Sequence, residues 1–363
     1  MPEQTILTVL PAVYRRFLPP FFGAEIPKEA AATCSDCAMV QKAGAPALAG
    51  YYFSPRSKCC THHPHLPNYL VGGLLRSRSP ALAEGRRRVR RRIAARLAVR
   101  PQGILRPQKY TVLLKKTEKD AFGRSGFLVC PYYEPKKGQC TIWPFRNGTC
   151  CTWFCKHAAG EDGRAFWGAL KAYLQSAENA LVQYALHQMG WEPAKIGVLH
   201  VPSRRLTSAE LDDRPPSEQA YRQLWGDWVG REIQFYKQTC RLVSRLTPED
   251  FERIEGVAQA VLLAEVRRRH RDMTTPTLPD TLKRNPALRV EQMTDTSAVL
   301  NGYSGSDPLE VSRRVYGMLD FFDGRRTNDE VIRRIRKQIG AKPTEDLLLW
   351  LYQFRILVDA KQP

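Results

Sequence analysis

Long hydrophobic runs are missing from this chain. No stretch approaches about 18 consecutive apolar residues, so no helical membrane span is expected. The phosphate-cradling GxxxxGK[ST] loop, the dinucleotide fingerprint GxGxxG and the nucleophile elbow GxSxG are absent, as are paired carboxylates in a glycosidase-like context and any internal repeat. The radical-SAM spacing CxxxCxxC is absent too. Any catalysis is therefore expected to run on a metal centre. Acidic charge is in short supply: 36 Asp and Glu face 56 Lys and Arg, a net charge of +20 that asks for an anionic partner. Met1 to Gly23 lacks a basic region ahead of its apolar part and is interrupted by Arg15, Arg16, Pro19 and Pro20. It does not read as a signal peptide, which places the expected location in the reducing cytoplasm.

What is present is a concentration of cysteine. Nine of the ten lie between Cys34 and Cys155, and Cys240 stands apart in a helical pattern. Cys34-Ser35-Asp36-Cys37 is a CxxC knuckle that can aim two thiolates at one ion. Cys59 and Cys60 are adjacent; they serve one centre through a tight turn, or two centres. Cys130, Cys140 and Cys150 follow at a spacing of ten, then Cys151 and Cys155. In a reducing compartment such a set reads as metal ligands ahead of disulfides or inert buried thiols. Thiolates suit zinc and a 4Fe-4S iron–sulfur cluster equally, so the cofactor is one of these two. His62, His63, His65 and His157 flank the cysteines as further candidate ligands, or as surface and supporting histidines.

Residues 1–160 are expected to form an irregular, metal-stapled domain with few strands, Tyr110–Leu114 among them. Inside it, Arg76 to Arg100 holds ten arginines against Glu84, or +9 of the total charge. Val89, Ile93 and Leu97 recur every fourth residue there, which predicts a basic amphipathic helix. Arg86, Arg87, Arg88, Arg90, Arg91 and Arg92 are its candidate polyanion contacts, the basis of a nucleic-acid-binding alternative. A helical region, 161–274, is expected to pack on this domain, with helices over 164–189, 217–246 and 248–273 and a proline-bearing loop between the first two. A linker over 275–286 leads to a small domain, 287–363, with a hairpin (288–293 and 298–303) and helices near 308–322, 327–339 and 343–356. Thr327 and Glu330 make a capping box. The fold class is thus α+β.

The segment Gly138-Gln139-Cys140-Thr141-Ile142-Trp143-Pro144-Phe145-Arg146-Asn147-Gly148-Thr149-Cys150 resembles the signature of the YkgJ-like zinc- or iron-chelating family. Cys130, the Cys59-Cys60 pair and the Cys34/Cys37 knuckle match its other cysteines. Asn147 stands where that family has proline, and Cys151 where an arginine usually follows. The resemblance covers about 34–157. It implies a zinc or iron–sulfur centre and, through the flagellin lysine methyltransferases of the group, protein modification as one role. Leu319 to Val331, with Asp323-Gly324 and Thr327, resembles the small winged-helix-like domain of the PQQ-pathway peptide chaperone, used elsewhere as a precursor-peptide recognition element. That resemblance covers about 285–358 and implies a peptide added as a strand to the hairpin edge. A metal protein that recognises and modifies a peptide or protein, or assists its modification, is the leading expectation. A nucleic-acid-binding protein with a structural zinc module, and a structural metal protein in a larger assembly, are the alternatives. The sequence fixes no oligomeric state.

Overall fold

A computed structural model describes residues 4–29, 34, 36–44, 48, 51–117, 121–191 and 207–361. The fold is α+β, with helices throughout and four small antiparallel sheets. No helix among the described residues is long and apolar enough to cross a membrane. Of the expected proline-bearing loop between 189 and 217, residues 192–206 lie outside the described residues, and the remainder forms one short helix, Ser208–Leu211, ahead of Pro215 and Pro216.

The organising element is the helix Gly160–Gln188. Phe166, Trp167, Leu170, Tyr173, Leu174, Ala177 and Leu181 recur at three- and four-residue intervals and are fully buried or nearly so. Against this stripe pack the N-terminal residues Ile6, Leu10, Tyr14, Phe17 and Phe22 and the helix Val257–Thr274. The expected boundary at 160 therefore does not separate two cores: residues 4–29 share one with the helices that follow.

A second core forms where Asn68–Arg76 crosses Glu232–Val243. Gly72 makes that crossing close, since a β-carbon there would stand 1.8 Å from the carbonyl oxygen of Tyr236. The basic helix spans Ala83–Ala94 and sets Val89 and Ile93 into this core. Three two-residue strands, Leu66–Pro67, Gly103–Ile104 and Val99–Arg100, form a small sheet beside it.

Several elements differ from expectation. Tyr110–Leu114 is not a strand but part of a helix, Gln108–Lys116. The two adjacent residues favouring a strand, Thr111 and Val112, are outweighed by flanking leucines and lysines, and Pro107 sits at the N-cap. The helix expected over 217–246 breaks into Glu218–Trp225 and Glu232–Val243, because Gly226 and Gly230 both take positive φ between them. The helix expected over 248–273 divides at Gly256 into Pro248–Ile254, opened by the Thr247 capping box, and Val257–Thr274.

The C-terminal residues have their own core, built from Leu282, Leu300, Val311, Leu319, Ile335, Leu351 and Ile356. The hairpin Arg289–Met293 and Ser297–Asn301 forms, and Leu309–Ser312 joins it as a third strand. That segment lies where the start of a helix was expected. Its alternation of buried Leu309 and Val311 with exposed Glu310 and Ser312 is a period-two signal only four residues long. The expected linker contributes a strand, Leu282–Arg284, paired with Leu357–Asp359. Helices follow at Arg313–Met318, Asn328–Ile339, opened by the Thr327–Glu330 capping box, and Glu345–Gln353.

Glu178, on the buried face of the long helix, accepts from the Gly148 amide at 2.6 Å and from the Tyr14 hydroxyl at 3.2 Å, and Tyr14 in turn bonds Tyr69 at 2.8 Å. Burial pushes its carboxyl up to about 7 in spite of these donors. The folded state thus holds this proton more tightly than the unfolded chain does, so stability present near the ordinary carboxylate value is lost as pH rises toward about 7. Glu178→Gln keeps an acceptor without the charge. It should raise the melting temperature at about pH 8, with a gain of up to about 3 kcal/mol, and change it little at about pH 5. Thermal denaturation at the two pH values checks this, and an equal effect at both would exclude the titration.

Candidate metal centre

The cysteines reach one place from four stretches of chain. Cys59 and Cys60 lie in a turn that Lys58 opens in a left-handed conformation, φ 49°. The Cys130 amide donates to the Cys60 carbonyl at 2.6 Å, tying that turn to the segment leading into Tyr133–Glu134. That strand pairs with Gln139–Cys140 and so sets Cys140 opposite Tyr133. Asn147 caps the short helix Gly148–Cys151, its side chain accepting from the Cys150 amide at 3.1 Å. Asn147 is thus the residue that starts the turn bearing Cys150.

Cys34, Cys37, Cys59, Cys60, Cys130, Cys140, Cys150 and Cys155 all line one cleft of about 430 Å³. All ten cysteines are free thiols. Among the described residues, no group of three or more Cys, His, Asp or Glu side chains is gathered tightly enough to form a preset metal site; the convergence is of the cleft walls. Cys151 is the exception among the nine. It is buried in the core around the long helix, with Sγ 3.5 Å from the Arg146 carbonyl oxygen, and it leaves the ligand set. Successive helical residues point about 100° apart, and here Cys150 turns to the cleft while Cys151 turns into the core.

Of the four candidate histidines, only His62 lines the cleft. His63 stacks on Tyr110 at 3.8 Å, with Nε2 2.9 Å from the Val129 carbonyl oxygen. His65 borders a separate cleft. His157 sits in the seam with the C-terminal module: its amide donates to Asp307 at 2.9 Å and its Nδ1 lies 3.3 Å from the Tyr303 hydroxyl. Tyr303 also bonds Asp307, and Tyr51 donates to the Ser306 carbonyl at 2.9 Å. These contacts fix the module to the chain two residues beyond Cys155.

Four cations line the cleft, Lys58, Arg146, Lys156 and Lys171, none of them singled out from the sequence, and the first two hold its walls together. Lys58 is buried, and its ammonium donates to the carbonyls of Cys34 and, at 3.0 Å, Gly138. Arg146 stacks over Trp143 at 3.4 Å and donates to the Cys150 carbonyl at 2.9 Å. The Cys34 thiol is pulled down to about 6 by a hydrogen bond from Cys60, with Arg146, the Cys140 amide and Lys58 adding to it despite burial. A hydrogen bond from Cys60 lowers Cys59 as well, whereas burial drives Cys130 up to about 12 and Cys140 to about 11. A buried thiol resists ionisation unless a cation accompanies it, and a thiolate-preferring metal is such a cation. Four thiolates on a divalent ion leave excess negative charge, which Lys58 and Arg146 are placed to offset. The donor set therefore fits zinc or an iron–sulfur cluster.

The basic helix is more committed to the fold than its composition implied. Arg88 donates to the carbonyls of Pro131 and Tyr133 and pairs with Glu84 and Glu134. Arg92 is buried and donates to the carbonyls of Leu97 and Leu105. Neither is free for a polyanion. Arg86 and Arg87 bond Ser79 and Glu84, and Arg87, Arg90 and Arg91 are the exposed ones of the six. No family model, curated protein or solved structure matches the chain.

Lys58→Met should leave two buried carbonyls without their donor. The expected cost is about 1–3 kcal/mol, read by chemical denaturation, together with a lower metal content. Unchanged stability in this variant would show that the ammonium does not hold the cleft walls together.

Proposed function

We propose that this chain is a metal-binding protein of the reducing cytoplasm that recognises a peptide or protein and modifies it or assists its modification. Zinc or a 4Fe-4S cluster would be held by thiolates drawn from Cys34, Cys37, Cys59, Cys60, Cys130, Cys140, Cys150 and Cys155, with His62 as the one histidine at hand. The observation that carries this reading is the meeting of eight free cysteines and four cations, Lys58, Arg146, Lys156 and Lys171, in one cleft. Bound there, zinc would supply a Lewis acid and a cluster would supply electron transfer. The chain's own residues shape the opening: Trp143, Trp153 and Phe122 give it apolar walls that suit an aliphatic or aromatic side chain.

The peptide half of the reading rests on the C-terminal module. Arg289–Met293 pairs on one side only, with Ser297–Asn301, and exposes Val290 and Met293. An extended peptide can pair with such an edge, its alternate side chains falling into neighbouring pockets. The similarity of this region to peptide-recognition winged-helix domains points the same way.

Anaerobically purified protein decides the metal. A brown solution containing iron and sulfide in equal amounts is the outcome for a cluster, and a colourless one containing zinc for a zinc centre; protein free of both metals would sink the proposal. Cys140→Ser and Cys150→Ser should each lose metal, whereas Cys151→Ser should retain it. Equal loss in the Cys150 and Cys151 variants would contradict the assignment of the cleft.

A further inference from the structure

A second cleft, of about 660 Å³, lies on the other side of Thr149, which lines both. No cysteine borders it. Its walls come from the chain around His65, from Gln102 to Thr111, from Asn147 and Thr149, and from the outward face of the long helix at Gln175 to Gln183. The lining is polar, and two of its groups lack partners. Arg106 Nε and Gln102 Oε1 are both buried without a hydrogen bond. Among the described residues Arg106 has no ion pair; its guanidinium only lies over the Tyr110 ring, 5.9 Å from the centroid. Glu178 is the one acidic residue on the walls, and it is occupied by Gly148 and Tyr14.

Unpaired buried polar groups are uncommon, and a pair of them in one cleft specifies what would satisfy them. An arginine Nε–H together with a neighbouring Nη–H accepts a carboxylate side-on, in two parallel bonds. The free oxygen of Gln102 needs an N–H donor. Side-chain amides at Gln108, Asn179 and Gln183 add neutral groups able to donate or accept around the rest of a ligand.

We propose that this second cleft binds an α-carboxylate with an adjacent N–H group, as carried by a free amino acid or by the C-terminal residue of a peptide, through Arg106 and Gln102. The site does not depend on the cysteine cleft holding a metal. A ligand seated here would lie against Thr149, one residue from Cys150, and so beside the cysteine cleft.

The test is saturation-transfer NMR and calorimetry on the full chain with the twenty amino acids and the matching Gly-Xaa dipeptides. Binding of amino acids alone assigns the site to free amino acids, and binding of dipeptides assigns it to peptide C-termini; either upholds the carboxylate site. Amidation of the α-carboxyl should abolish binding. Arg106→Gln should weaken the best ligand at least about tenfold, and Arg106→Lys, which keeps the charge and loses the fork, should fall between. Both variants should melt as the wild type does, since the Arg106 side chain makes no hydrogen bond among the described residues. Absence of binding by every probe, equal binding of amidated ligands, or an unchanged affinity in Arg106→Gln would each overturn the proposal.

Discussion

Irregular backbone must find partners for its carbonyls, and in this protein lysine and arginine supply them. Between Cys34 and Cys155 the strands are two residues long, so ladder hydrogen bonds satisfy few of the main-chain groups. Long cationic side chains reach in instead. Lys58 joins Cys34 to Gly138, Arg88 holds Pro131 and Tyr133, Arg92 holds Leu97 and Leu105, Arg124 holds Tyr51 and Tyr52, and Arg146 holds Trp143 and Cys150. Most of these carbonyls are half-buried and would otherwise lack a donor. Part of the charge of +20 is thus spent on architecture, and what is left at the surface is a weaker argument for nucleic acid than the composition made it.

The same staples bear on the cysteines. Four of the carbonyls they hold belong to Cys34, Pro131, Gly138 and Cys150, each a ligand candidate or within two residues of one. The cations that build the cleft walls also stand near the sulfurs, lowering the cost of thiolate charge where burial raises it. Structure and electrostatics therefore share residues, and a substitution at Lys58 or Arg146 acts on both.

Much of this was legible in the sequence, and the rest was not for physical reasons. The capping boxes at Thr247 and Thr327 are local chemistry, and the helices began where those residues stood. Nine clustered cysteines drew attention to one region, and eight of them line one cleft. The division between Cys150 and Cys151 was hidden because it depends on four residues being helical, a turn too short to show periodicity. Leu309–Ser312 was read as helix because its alternation is equally brief and a helix does follow. Lys58 and Arg146 were lost among 56 like residues, since only the fold tells a buried cation from a solvated one. The second cleft draws on four separate stretches and matches no linear motif.

The long helix explains how these parts come to adjoin. Its 29 residues span about 44 Å, enough to touch each region in turn. At its start Gly160, at φ 53°, comes so near the Gln353 carbonyl of the C-terminal module that a β-carbon there would stand 2.4 Å from that oxygen. Further along, Lys171 borders the cysteine cleft, and Gln175 donates to Thr149 in the wall between the two clefts. Gln175, Asn179 and Gln183, spaced four apart, face the second cleft, while Leu174, Ala177 and Leu181 face the core. One helix thus carries a core stripe, a polar cleft stripe and a docking end. A tilt of it would move the module, the cysteine wall and the second cleft together, and the close packing of its buried core stripe resists that tilt.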